Sequence, residues 1–256
     1  MTELLLLLAG IVGGALNSLA GGGSFVVFPA LWLAAGLPPV IANASNTYAA
    51  FPGYVSGTYG YWADLMRHRD RLAVYSVIAL VFGYVGAELL LRVSDEQFSL
   101  AVPWLMLFAV LLFSFGGSIN GWIARHSGES QRLKTTGAIL LLVLLAGISV
   151  YGGFFNAGLG ILLLAFLALA GLTHIHAMNG LKLWISAIIA IVAVIRFAFD
   201  GAIAWYEGSI ALVGVTIGGY AAARLAYRIP MQLIRGLVIV YGVGLTAYFF
   251  WNTYLN

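Results

Sequence analysis

Apolar residues fall in ten runs, at about 4–20, 24–36, 40–60, 71–91, 98–118, 135–155, 158–171, 175–199, 208–226 and 232–252. A helix needs roughly 20 residues to cross a hydrocarbon core of about 30 Å, and most of the runs reach that length. Residues 24–36 and 158–171 do not. At the standard rise each would cover only about 20 Å. The pattern predicts an all-α integral membrane protein in which two segments are short or broken.

The two short runs occupy matching places. Sliding the chain against itself by 136 residues sets Gly22 on Gly158, Ser24 on Gly160, Asn43 on Asn179, Asn46 on Lys182, Asp64 on Asp200 and Arg92 on Arg228. Residues 1–120 and 135–256 are therefore expected to be two membrane repeats of five hydrophobic segments each, joined by a linker at 119–134. Basic residues set the orientation, because cytoplasmic loops of membrane proteins are rich in Lys and Arg. Arg67, Arg69, Arg71, Arg125, Arg132, Lys134, Arg224, Arg228 and Arg235 fall on one side, and only Arg92 on the other. That distribution requires an odd number of crossings per half. It predicts inverted repeats with both termini outside and the linker inside.

Composition supports a lipid environment. Hydrophobic residues make up 62% of the chain and charged residues 8%, against about 25% charged in a soluble domain. The net charge of +3 is too small to argue for nucleic acid. The absence of cysteine excludes disulfides, thiolate metal sites and cysteine catalysis. The 32 glycines suit helices packed in a membrane. The N-terminal MTELLLLLAG has no basic region and carries Glu3, so it reads as a retained segment rather than a signal peptide. Trp62, Trp122, Trp205 and Trp251 sit near segment ends, where they suit the membrane interface.

The candidate chemistry lies at the two interruptions. Ala20-Gly21-Gly22-Gly23-Ser24 is one, and the stretch from Gly152 to Gly160, with Asn156, Gly158 and Gly160, is the other. In lipid, backbone groups freed by a break must find partners in protein or in a wet cavity. A helix starting after a break turns its positive dipole end toward it, which favours an anion. Paired short, glycine-interrupted segments are the best sequence pointer to a transporter site. The alternative use of these glycines is close helix packing.

Asn43 and Asn46 are three residues apart and share a helix face, as do Asn179 and Lys182. Asn46 and Lys182 each lie about 12 Å into their helices, and an intramembrane lysine is a functional hypothesis by default. The expected substrate-binding set is thus Gly21, Gly22, Gly23, Ser24, Asn43, Asn46, Asn156, Gly158, Gly160, Asn179 and Lys182. Arg196, near the outer end of the same helix, is expected to snorkel or to recruit anions. Candidate coupling groups are His176 and Glu88, although Glu88 also stands four residues before Arg92, a favourable helical pair. His174 and His176 do not face one ligand at their spacing, so no metal site is expected. Pro52 is expected to kink its helix. No enzyme motif and no phosphate-binding loop occurs, and no cofactor is implied.

Leu19-Ala20-Gly21-Gly22-Gly23-Ser24-Phe25, the run from Gly36 to Thr47 with Asn43 and Asn46, and Pro52-Gly53 resemble the first half of the TauE/SafE sulfite exporter family. Asn156-Ala157-Gly158-Leu159-Gly160 and the run from Ile175 to Lys182 resemble its second half. Ala177 departs from the pattern, where a basic residue is frequent. The resemblance spans essentially the whole chain. It implies a permease of the bacterial inner membrane for sulfite or related sulfur-containing anions, usually acting in export. The expected function is secondary transport of a small anion by alternating access. The alternatives are an anion channel and a non-transporting membrane subunit. The expected partners are the anion and the lipid bilayer.

Overall fold

The computed structural model describes the backbone of residues 1–126, 133–225 and 231–255, and their side chains except at 19–20, 113, 116–126, 133–138, 223–225, 231–235 and 237. Trp122, Arg125, Arg132, Lys134, Arg224, Arg228 and Arg235 fall outside the described side chains. Every regular element among the described residues is helical. Three helices there are long and apolar enough to cross a membrane: Arg69–Arg92, Asp95–Leu112 and Ile175–Phe199. Shorter apolar helices run over Thr2–Ser18, Ser24–Ala34, Ile139–Phe154 and Leu159–Leu169. Val77, Leu80, Phe82, Tyr84 and Leu89 along the first of the long helices are exposed, as a lipid-facing surface requires.

Helix α1 (Thr2–Ala20) stops at Gly21, which takes a left-handed φ of 81° and donates its N–H to Leu16 O and Asn17 O. That geometry closes a helix and favours glycine. After a gap of a few residues the chain re-enters helix as α2 (Ser24–Pro29). Pro29 has no N–H to continue the ladder, and the next turn, Ala30–Ala34, widens into a π-helix in which Ala35 N–H donates to Ala30 O at 3.1 Å. Helix α3 (Pro39–Gly60) starts on a proline at its first position, where the missing N–H costs nothing. Pro52 does not end α3, which continues through it to Gly60. Then follow α4 (Trp62–Met66), α5 (Arg69–Arg92) and α6 (Asp95–His126).

The second part of the chain opens with α7 (Leu133–Phe154), which gives way to the second interruption. Gly158, with φ 80°, caps the start of α8 (Leu159–Leu169). The chain continues through α9 (Ile175–Phe199), α10 (Trp205–Leu225) and α11 (Met231–Tyr254). Arg71, at the start of α5, donates to Ala170 O at 3.0 Å and so places a cation on the carbonyl end of α8.

The tightest packing pairs α1 with α10 and α5 with α7. A Cβ on Gly10 or Gly14 of α1 would run into the carbonyls of Ala211 or Val215, and one on Gly218 of α10 into that of Ile11. Gly86 of α5 and Gly153 of α7 stand equally close to Val150 O and Gly83 O. Helix α3 lies against α9, and α6 against α11. An aromatic cluster joins these bodies at the centre: Phe28 of α2 meets Phe155 edge-on at 5.6 Å and Phe98 of α6 at 6.3 Å. Phe155 belongs to the second interruption, so this packing draws the two interruptions toward each other.

Candidate functional site between two broken helices

The interruptions meet. A Cβ built on Gly160 would stand 3.8 Å from Gly21 Cα, and one built on Gly21 would stand 4.0 Å from Gly160 Cα. The C-terminal end of α1 therefore touches the first turn of α8.

Helix α3 holds both interruptions from one face. Asn43 Nδ2 donates to Phe154 O, the last residue of α7, at 2.8 Å. Asn46 Nδ2 donates to Ser24 Oγ, the first residue of α2, at 3.1 Å. Both asparagines are 1% exposed. Asn43 Oδ1 is buried and accepts nothing. Ser45 points elsewhere, accepting Ala204 N–H at 2.9 Å.

Lys182 on α9 is brought to the second interruption. Its Cδ lies 3.5 Å from where a Cβ on Gly160 would stand. The side chain is buried, 9% exposed, and makes no hydrogen bond or ion pair among the described residues. Beside it, the N–H groups of Ala157, Gly158 and Gly160 find no acceptor there either. An ammonium without a partner among the described residues and free amide donors at the start of an eleven-residue helix make a region of positive potential.

Asn156 is fixed rather than free: Tyr54 O–H donates to its Oδ1 at 2.9 Å. Tyr151 O–H donates to Ala157 O at 2.7 Å, which holds the next residue of the same loop. In the first interruption, Gly22 O accepts Phe25 N–H, and Gly23 O accepts from Val26 and Val27. Asn179 is half-buried and makes no side-chain hydrogen bond among the described residues.

Other expectations fall elsewhere. His176 is exposed at the start of α9, stacked on Tyr61 at 6.0 Å. It precedes Lys182 by about 9 Å of helix rise. Glu88 does pair with Arg92, at 2.9 Å, but it also accepts from Arg196 at 2.7 Å. Arg196 reaches Asp200 as well, at 3.2 Å. Arg196, expected to snorkel or to recruit anions, has its guanidinium engaged by two carboxylates and ties α9 to α5. Trp62, Trp205 and Trp251 are exposed at helix ends, as expected for interfacial anchors.

Sequence reasoning missed Asn17 and Tyr54. Asn17 is one turn before Gly21, an amide beside Ser18 in the last turn of a largely apolar helix. Tyr54 lies on the stripe of α3 that begins with Asn43 and continues through Thr47 and Ala50, all buried. Helical spacing from Asn43 was a signal sufficient to find it.

A helical body with an apolar exterior and polar groups gathered where two helices break defines the class of multi-pass membrane transporters. The chain belongs to the sulfite exporter TauE/SafE family, whose model matches residues 6–249. It is similar to the probable membrane transporter protein ORF9 of a Sinorhizobium species, 26% identical over 94% of this chain and 89% of that protein. It is similar to the probable membrane transporter protein YfcA of Escherichia coli K12, 26% identical over 93% of this chain and 85% of the relative. A probable membrane transporter protein of Haemophilus influenzae is 26% identical over 95% and 92% of the two chains. No solved structure matches the chain.

Proposed function

We propose that the protein is a secondary transporter of a small anion, with sulfite or an organosulfonate as substrate class and export as its direction. The observation that carries this reading is Lys182, buried against the start of α8 with no anionic partner among the described residues. A buried charge without a counter-ion is costly, and an anion seated between Lys182 and the amides of Gly158 and Gly160 offsets that cost. Gly21 of the other interruption closes over the same place. Asn43 and Asn46 hold the two loops in register from α3, and Ser24, Asn156, Asn179, Gly22 and Gly23 complete the polar surroundings.

Alternating access follows if the closed contact between Gly21 and Gly160 opens to one side at a time. The shift of 136 residues carries α1 onto α7 and α5 onto α10. The packing pairs α1 with α10 and α7 with α5, so the same pairing occurs twice with the halves exchanged. This supports the inverted-repeat reading. It also makes the moving bodies pairs of helices drawn from both halves, with the α3–α9 contact between them. On this reading the protein sits in the bacterial inner membrane with both termini periplasmic, the orientation that the basic residues of the sequence favour.

The test is uptake of radiolabelled sulfite by proteoliposomes holding the purified protein. Saturable, counter-exchangeable uptake is expected, falling at least tenfold in Lys182→Ala of equal insertion. Non-saturating flux would make the protein a channel. Unchanged uptake in the variant would remove Lys182 from the site.

A further inference from the structure

Seven serine and threonine side chains are buried among the described residues, and six of them are engaged. Thr47, Thr58, Ser149 and Thr246 each donate to the carbonyl four residues earlier on the same helix, the usual partner of a helical hydroxyl. Ser24 accepts from Asn46, and Ser45 from Ala204 N–H. Ser186 of α9 is 1% exposed and makes no hydrogen bond among the described residues. Its Oγ is not sealed off, because the one partnerless side-chain oxygen or nitrogen closed completely among those residues is Asn43 Oδ1. What little surface Ser186 keeps therefore includes its oxygen.

The neighbours of Ser186 on α9 fix the direction it faces. Ile185 and Ile189 belong to the apolar cluster that holds Leu159 and Leu163 of α8. Ala187 and Ala190 belong to the cluster that holds Ala50 and Tyr54 of α3. At 3.6 residues per turn, Ser186 falls between these two faces, so it is aimed into the wedge between α8 and α3. Lys182, one turn earlier, faces the same wedge and meets Gly160 there. Further along the same stripe, Ala193 and Phe197 share a core cluster with Phe155 and Ala157. Ser186 thus stands between two levels of α9 that both meet the second interruption. Tyr54 gives its O–H to Asn156 Oδ1, so the Nδ2 of Asn156 is the end left free beside this wedge.

We propose that Ser186 is a further substrate-binding residue: its hydroxyl donates to one oxygen of the anion and favours a three-oxygen head, sulfite or a sulfonate, over a carboxylate. The proposal rests on the anion-transport reading above. Residues four apart on a helix have Cβ atoms about 5–6 Å apart, which keeps Lys182 and Ser186 within reach of one small anion. A pyramidal head turns its three oxygens in three directions. Lys182 and the amides at the start of α8 meet two of them, and the third needs a donor of its own. A carboxylate has two oxygens and gains nothing from that donor.

The experiment measures the rise in Tm of the full chain in detergent as sulfite, methanesulfonate or acetate is added, for the wild type and Ser186→Ala. The variant should need about tenfold more sulfite or methanesulfonate for the same rise, the loss of one hydrogen bond to a charged group. Acetate should act alike on both proteins. Without anion, the Tm of Ser186→Ala should equal or exceed that of the wild type, because its hydroxyl has no partner to lose. An unchanged sulfite response, an equal loss for acetate, or a fall of several degrees in the anion-free Tm overturns the role of Ser186 and leaves the transport reading standing. A wild type that responds to none of the three anions overturns both.

Discussion

The two interruptions stand at matching positions in the chain and differ in what surrounds them. The second is followed by a regular eleven-residue helix and faced by a buried lysine. The first is followed by six residues of α-helix, a proline and a π turn, and is faced by neutral amides around a water-sized void. A two-fold pattern in sequence has become one interruption beside a cation and one beside neutral amides. The difference begins with single positions: Asn46 where its counterpart is Lys182, Ser24 where its counterpart is Gly160. Ser24 accepts the Asn46 amide; a glycine leaves room for a ligand to approach the backbone.

The largest expected effect comes from erasing that difference in charge. Lys182→Met keeps most of the side-chain length, one atom short, and removes the ammonium. Anion uptake should be lost, as in the alanine variant. Stability should move the other way, because replacing an unpaired buried ion by an apolar group of similar volume removes a desolvation penalty. A Tm rise of a few degrees is expected, measured in detergent without anion. A fall in Tm would mean that Lys182 is already compensated and that the second pocket is not primed for a charge.

Next in size is a contrast between two glycines of the second interruption. Gly158 sits at φ 80°, and a Cβ there would also press on Ala109 Cβ at 3.1 Å. Gly158→Ala should cost about 1–2 kcal/mol for the left-handed backbone alone and displace the start of α8. Gly160 has an ordinary helical backbone, and its Cβ would meet nothing closer than 3.5 Å. Gly160→Ala should therefore fold normally, with Tm within about 2 °C of the wild type, yet raise the KM for sulfite severalfold, because the methyl occupies the approach between Lys182 and Gly21. If both variants lose stability alike, the room at Gly160 is a packing requirement and not a ligand's space.

Much of this was legible in the sequence, for physical reasons that can be named. The short runs announced the interruptions, since a membrane helix cannot end in lipid without partners for its backbone. The i, i+3 spacing of Asn43 and Asn46 announced a shared face, and they do reach across one face to Phe154 and Ser24. What was not legible depends on contacts between distant parts of the chain. Nothing local assigns Asn43 to the end of α7, 111 residues away. Asn17 was overlooked because its counterpart under the repeat is Gly153, a residue that packs against Gly83 O rather than lining a void. The pairing of Arg196 was not legible because its partner Glu88 lies on another helix, 108 residues earlier. A charge near the end of a membrane helix reads as snorkelling until its counter-ions are known.

The smallest expected effect separates the two cations of α9. Lys182 has no partner among the described residues, and Arg196 has Glu88 and Asp200. An ion pair already formed on a partly exposed surface contributes little, and a guanidinium held by two carboxylates presents little net charge to an approaching anion. Arg196→Gln should therefore leave the rate and KM of sulfite uptake within about twofold of the wild type at every ionic strength, with a small fall in Tm from the lost tie between α9 and α5. The informative measurement is KM at low salt, where steering by an exposed charge is strongest. A KM that rises severalfold there and recovers in high salt would show that Arg196 gathers anions despite its partners. The charge difference between the two pockets would then begin at the mouth of the protein and not at its centre.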